Sequence, residues 1–268
     1  MLSRRHFLYS AAVPAVAKDI PVRTVSKVEQ AFKSPGPKPN GLQATPEGLW
    51  ILDQGDNKAY LVGYENGKVL RALNTDSKAG SGITFDGEAL WLASTYSREI
   101  IRADARSGAT IAKFACPGAG VVAWTKGRTS PLAPPPPASP IVKAAAAAPK
   151  MPQQRQATGA HGLEWRDGKL WIAVPPSQTI YRVDPKTFQI EFQFKTAGDR
   201  PHGIGWEGKW LWCTDSNLNA FFKHDPATGR IHEKIQLADS DPLPHGMTIW
   251  KGWMWYCDDV GVVCKLRM

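Results

Sequence analysis

The sequence predicts an all-β fold, a β-propeller of five four-stranded blades, on three observations. Gly41 and Trp50, Gly82 and Trp91, Gly162 and Trp171, Gly203 and Trp212, and Gly246 and Trp255 are five pairs, each nine positions apart. The steps from glycine to glycine are 41, 80, 41 and 43 residues, so that the 80 is nearly two periods. The chain also holds 11 Trp and 24 Gly in 268 residues, the composition of short strands and tight turns repeated at fixed spacing.

Each unit reads as strands. In "HGLEWRDGKLWIAV" a first strand turns at Asp167-Gly168 into a second that carries Trp171. "TIYRVD", a turn at Asp184-Pro185 and "IEFQFK" complete four strands, with apolar and polar residues alternating between Gly, Asp and Pro. The same third hairpin returns at Asp225-Pro226-Ala227-Thr228-Gly229. One such sheet cannot bury both faces alone, whereas neighbours stacked around an axis can, with tryptophan filling the wedge between them. The last unit stops after three strands, and "RTVSKVEQAFKS" near the N-terminus reads as an orphan fourth. Pairing the N- and C-terminal strands would close the ring and remove exposed edges.

Residues 128–158 break the pattern with eight of the 22 Pro and a run of five Ala. Proline cannot donate to a strand ladder, so this stretch is expected to be a disordered insertion within a single domain spanning 20–268. The 80-residue step leaves an alternative of six blades with one degenerate.

The net charge of +9 is spread over scattered Lys and Arg rather than gathered on one element, which argues for a solvated surface and against a nucleic-acid partner. No run of 18 apolar residues exists, so the chain is not expected to be embedded in a membrane. The four cysteines show neither a CxxC pair nor a zinc spacing. Cys257 and Cys264 fall on facing strands of one hairpin, and either a disulfide or two buried thiols satisfies the sequence.

The opening Ser3-Arg4-Arg5-His6-Phe7-Leu8 resembles the twin-arginine signal of bacterial export, and Ala15-Val16-Ala17 fits a cleavage site. Residues 1–17 are therefore expected to be a signal peptide, read by the twin-arginine translocase and delivering folded cargo to the periplasm or beyond. The mature chain is expected to be a monomer.

Two repeat positions are candidates for chemistry. The residue before each glycine begins the innermost strand: Asn40, Ser81, His161, His202 and His245. The residue thirteen later ends the second strand: Asp53, Ser94, Val174, Asp215 and Asp258. Both sets are expected on one rim of the axis. Imidazoles beside carboxylates suit a divalent metal, magnesium or another, held by His161, His202, His245 and Asp215; they equally suit an acid–base pair. Asn40, Asp53 and Ser81 complete the rim as ligand contacts. The same residues would also serve as hydrogen-bonded ties of the loops.

"RPHGIGWEGKWLWCTDSNLNAFFKHDPATGRI" and "LPHGMTIWKGWMWYCDD" resemble the repeats of streptogramin (virginiamycin B) lyase propellers, well over 160–268 and loosely over 40–118. Gluconolactonase-like and glutaminyl-cyclase-like propellers are more distant comparisons. The lyase resemblance implies a magnesium-dependent enzyme with His245 as catalytic base and Asp258 as its acidic partner, Asp standing where those lyases carry Glu. The expectation is a metal-dependent lyase or hydrolase acting on a small molecule. The alternative is a non-catalytic propeller that binds a ligand or protein.

Overall fold

The computed structural model describes residues 20–122, 127–133 and 157–268. The twin-arginine segment, the cleavage point after Ala17 and most of the Pro/Ala-rich stretch lie outside the described residues. Five antiparallel four-stranded sheets form the propeller. The first blade is Pro39–Ala44, Leu49–Asp53, Lys58–Val62 and Val69–Asn74; the second is Gly80–Phe85, Ala89–Ser94, Glu99–Asp104 and Thr110–Ala115. The third is Gly162–Arg166, Lys169–Val174, Thr179–Val183 and Ile190–Lys195; the fourth is Pro201–Glu207, Trp210–Asp215, Ala220–His224 and Ile231–Gln236. Met247–Trp250, Trp253–Asp258 and Val262–Arg267 make the fifth, and Glu29–Lys33 supplies its outer strand. Between the second and third blades the described residues form only a two-stranded stem, Gly120–Val121 with Ala157–Thr158. Among the described residues the ring has five blades, not six.

The repeated glycines are the hub. A methyl on Gly41 would lie 2.9 Å from the Ile83 nitrogen, one on Gly82 3.0 Å from the Gly162 carbonyl carbon, and one on Gly246 2.5 Å from the Asn40 carbonyl oxygen. At Gly162 and Gly203 it would overlap the His202 carbonyl oxygen and the Met247 nitrogen. Each glycine therefore admits the backbone of the next blade, and the fifth admits the first.

The repeated tryptophans are core, none more than 5% exposed. Four of them face a basic residue directly across the ladder: Trp91 and Arg102, Trp171 and Arg182, Trp212 and Lys223, Trp255 and Lys265. The cations stand 5.5–5.8 Å from the indole centroids. In the first blade the facing residue is Leu61, and Arg71 from the next strand takes the place, 5.8 Å from Trp50. Five of the 33 Lys and Arg thus recur with the repeat, each cation lying over an indole face.

The N-terminal chain ties two blades. Residues Pro21 and Arg23 exchange backbone hydrogen bonds with Lys234 on the outer edge of the fourth blade, both at 2.8 Å. The Arg23 guanidinium bonds Glu207 at 2.6 Å and Glu233 at 2.7 Å. From there the chain enters the fifth blade, with Glu29 opposite Lys265. The chain thus bridges the fourth blade's outer strand at Lys234 and pairs along the last strand of the fifth.

Cys257 and Cys264 do not bridge. Tyr256 pairs with Cys264 and Cys257 with Val263, so the two thiols lie one register apart and point to opposite faces of the sheet. All four cysteines are free and buried. No helix among the described residues is long and apolar enough to cross a membrane.

Candidate functional site

The inner strands of the first, second and fourth blades begin with a β-bulge, between Pro39 and Gly41, Gly80 and Gly82, and Pro201 and Ile204. Asn40, Ser81 and His202 are bulged residues, and a bulge re-aims the side chain it carries. With His161 and His245 they are at most 8% exposed. Asn40, His161, His202 and His245 converge on a cavity of about 140 Å³ at the mouth of the axis.

The structure separates the two sets of predicted residues. Asp53 Oδ2 accepts the Lys38 N–H at 2.7 Å and its Oδ1 that of Gly55 at 2.8 Å. Asp215 accepts from Arg200 N at 3.0 Å and Leu218 N at 2.9 Å. Asp258 Oδ2 accepts from Leu243 N at 2.7 Å and from the Ser130 hydroxyl at 2.5 Å. In the second blade Ser94 Oγ does the same for Lys78 N at 2.8 Å. These side chains tie the loop that enters each inner strand, and Asp53 and Asp215 do not line the cavity. Ser81 is likewise engaged, accepting from Gln54 at 3.1 Å and Thr95 at 2.8 Å.

The residue one further along completes the site instead. Gln54 and Asp259 line the cavity, each following the second-strand aspartate. Three more residues join: Tyr96 and Arg200 from loops, and Thr158 from the two-stranded stem at the end of the Pro/Ala-rich stretch. The other end of that stretch reaches across to the fourth and fifth blades. The Arg128 carbonyl accepts from Arg200 Nη1 at 3.0 Å, and Ser130 is the Asp258 partner.

Burial makes the imidazoles neutral. It drives His161 down to about 3, with Arg200 adding to the effect, and His202 well below the usual histidine range. His245 falls to about 4, burial first, with Asp259 opposing and Arg200 assisting. Its Nε2 is 3.7 Å from Asp259 Oδ2 and 3.5 Å from Arg200 Nη2, so the neutral imidazole stands between a carboxyl group and a guanidinium. Asp258 is pushed up to about 6, mainly by burial and against the Ser130 bond. Three buried polar atoms of residues that line the cavity have no hydrogen-bond partner: Asn40 Oδ1, Thr158 Oγ1 and His161 Nε2.

Among the described residues, His245, Asp258 and Asp259 offer ligand atoms within 4.8 Å of one another. Magnesium asks for near-octahedral oxygen ligands. Here one Asp258 oxygen is occupied by Ser130 and Leu243, and a guanidinium stands beside the imidazole nitrogen. Asp215 is taken by backbone, and His161 Nδ1 contacts His202 Nε2 at 3.0 Å. The residues present do not fit a magnesium ion.

No family model matches the sequence. No curated protein matches it either. Among solved structures, the glutaminyl cyclase of Myxococcus xanthus is similar with a TM-score of 0.63 at 10% identity, over 92% of this chain and 97% of that one. A virginiamycin B lyase of Staphylococcus aureus is similar with a TM-score of 0.48 at 22% identity, over 86% of this chain and 66% of that one. A streptogramin B lyase gives 0.49 at 18%, over 85% and 64%. The chain thus spans about two thirds of the length of those lyases. The cyclase likeness, nearly complete in both chains, confirms the propeller architecture.

Proposed function

We propose that this chain is an exported propeller that holds a small polar molecule in the axial cavity and moves a proton on it at His245, as a lyase or hydrolase would. The observation that carries this reading is the axial cavity itself, where His161, His202 and His245 meet Asn40, Arg200 and Asp259. The cavity of 140 Å³ is the size of a few waters, at about 30 Å³ each, and so takes a head group rather than a whole large substrate.

His245 is neutral and therefore able to accept a proton. The imidazolium so formed would face Asp259, 3.7 Å away, while Arg200 limits how basic the ring becomes. No magnesium takes part. The test is incubation of the purified protein with a bacterial small-molecule extract, followed by mass spectrometry. Wild type should consume a species that His245→Ala leaves at least about 100-fold less converted, with EDTA without effect. An extract unchanged by wild type, or activity abolished by EDTA, would overturn the reading.

Export is part of the same proposal and rests on Ser3-Arg4-Arg5-His6-Phe7-Leu8. Replacing Arg4 and Arg5 together by lysine should leave uncleaved chain in the cytoplasm, as seen by fractionation. Unaltered delivery of that variant to the periplasm would refute it.

A further inference from the structure

The tie at the end of the second strand is made differently in the fifth blade, and the difference brings in the Pro/Ala-rich stretch. In the first and fourth blades one aspartate oxygen holds the loop before the inner strand and the other holds the residue's own turn. Asp53 Oδ1 accepts from Gly55 N at 2.8 Å and Asp56 N at 3.1 Å, and Asp215 Oδ1 from Leu218 N at 2.9 Å. Asp258 keeps the first half, with Leu243 N on Oδ2, but its Oδ1 is buried without a hydrogen-bond partner. The buried Ser130 hydroxyl donates to Oδ2 instead. A residue from an insertion rooted between the second and third blades thus completes a tie that the other two blades make for themselves.

Residues 127–133 hold to the fourth and fifth blades at several points. Arg128 N donates to Asn217 Oδ1 at 3.1 Å, its guanidinium pairs with Asp239 at 2.8 Å, and its carbonyl accepts from Arg200 Nη1 at 3.0 Å. Two paths lead from this segment to His245. On one side Ser130 holds Asp258, Asp258 holds Leu243 N, and the Leu243 carbonyl stands 3.4 Å from His245 Nδ1. On the other, the Arg128 carbonyl holds Arg200, whose Nη2 stands 3.5 Å from His245 Nε2. Asp259 Oδ2, 3.7 Å from Nε2, and the His202 ring, edge-on with centroids 4.8 Å apart, also border the imidazole.

We propose that Ser130 is a positioning residue of the axial site, and that residues 127–133 hold the His245 ring in one orientation by gripping the groups at both its nitrogens. The inference rests on the reading of His245 as the proton carrier. It gives the Pro/Ala-rich stretch a part in the site at both ends, since Thr158 lines the cavity. A group that moves a proton must be held in place by its surroundings, and a misplacement of about 1 Å can cost about 100-fold in rate.

Proton–nitrogen correlation on histidine-labelled protein reads the ring without any ligand. Wild type should show one sharp set of His245 ring signals. Ser130→Ala should broaden or split that set and leave unmoved the ring of His224, buried in the fourth blade with Nδ1 3.1 Å from the Gly229 carbonyl. Leu132→Ala, which alters an exposed side chain of the same segment, should change neither ring. A sharp, unmoved His245 set in Ser130→Ala overturns the proposal, and so does an equal change at His224, which would mark a general loosening of the fold. Arg200→Lys, single-headed and unable to hold the Arg128 carbonyl and His245 together, tests the second path without touching the segment, and a sharp His245 set there would remove that path. With the bacterial extract, Ser130→Ala should convert the species that wild type consumes about 100-fold more slowly. Full wild-type conversion beside broadened His245 signals would refute the positioning role. A wild type that converts nothing would sink the proton-transfer reading and leave the hold on the ring to be judged by its signals alone.

Discussion

Gly203→Ala should lose the propeller outright, or at least about 3–5 kcal/mol of stability, measured as a collapse of the urea midpoint. An added methyl there overlaps the Met247 nitrogen and comes within 2.7 Å of the Gly246 carbonyl carbon. These are backbone atoms of the next inner strand, held in its own ladder, so no side-chain rotation relieves the clash. The fourth and fifth blades would have to move apart, and in a closed ring that displacement propagates to every hub contact. Gly63→Ala is the control: its nearest neighbours are the Asn66 amide oxygen at 3.9 Å and the Lys68 carbonyl oxygen at 4.0 Å, and its φ is ordinary. It should cost less than about 1 kcal/mol. Equal midpoints for the two variants would refute the account of the hub.

The same crowding explains why the fold was legible in the sequence. A backbone-to-backbone approach tolerates only glycine, and the wedge beside it is filled by an indole, so the two residue types recur together wherever a blade recurs. Closure was legible for a related reason: three strands at one end and one at the other leave a single pairing, which Glu29 and Lys265 make. The site was half legible. Asn40, His161, His202 and His245 do meet at the axis, but Asp53 and Asp215 tie loops, and Gln54 and Asp259 stand in the cavity.

In the first, second and fourth blades the bulge is the cause of that offset. Strand alternation counted across a regular hairpin puts residues 40 and 53 on one rim, yet Pro39 pairs with Asp53 and Gly41 with Leu52, leaving Asn40 as an extra residue. The partner facing the axis is then one position later. Gln54 touches Ser81 and Ser216 touches His202. Polarity could not reveal this, since Asp53, Ser94, Asp215 and Asp258 are as polar as Gln54, Thr95, Ser216 and Asp259. Arg200 was hidden similarly, because Lys38 precedes Asn40 as Arg200 precedes His202 and only the latter lines the cavity.

Beyond the glycine waist, two residues along each inner strand, Gln43, Thr84 and Glu164 meet around the axis, and from them a second large effect is expected. Glu164 is 6% exposed and accepts from Trp165 N at 3.1 Å, with Thr84 Oγ1 at 3.4 Å. The single Thr84 hydroxyl hydrogen is directed to Gln43 Oε1 at 2.6 Å. Burial pushes the carboxyl up to about 8, against bonds that favour its charged form, so the native state keeps it protonated where the unfolded chain ionises it near 4.5. The native state thus binds this proton more tightly. Stability from Glu164 is whole below about pH 4.5 and lost as pH rises towards 8, at about 1.4 kcal/mol per unit. An uncharged amide of the same shape escapes that loss. Glu164→Gln should therefore match wild type near pH 4 and exceed it by about 4–5 kcal/mol above pH 8, on the order of 10 °C in Tm for a chain of this size. Thermal unfolding of both proteins from pH 4 to 9 measures the difference, in which all other titrating groups cancel. A gap that does not widen with pH would mean that Glu164 is already ionised in the folded ring, and that the polar layer beneath the glycines admits water.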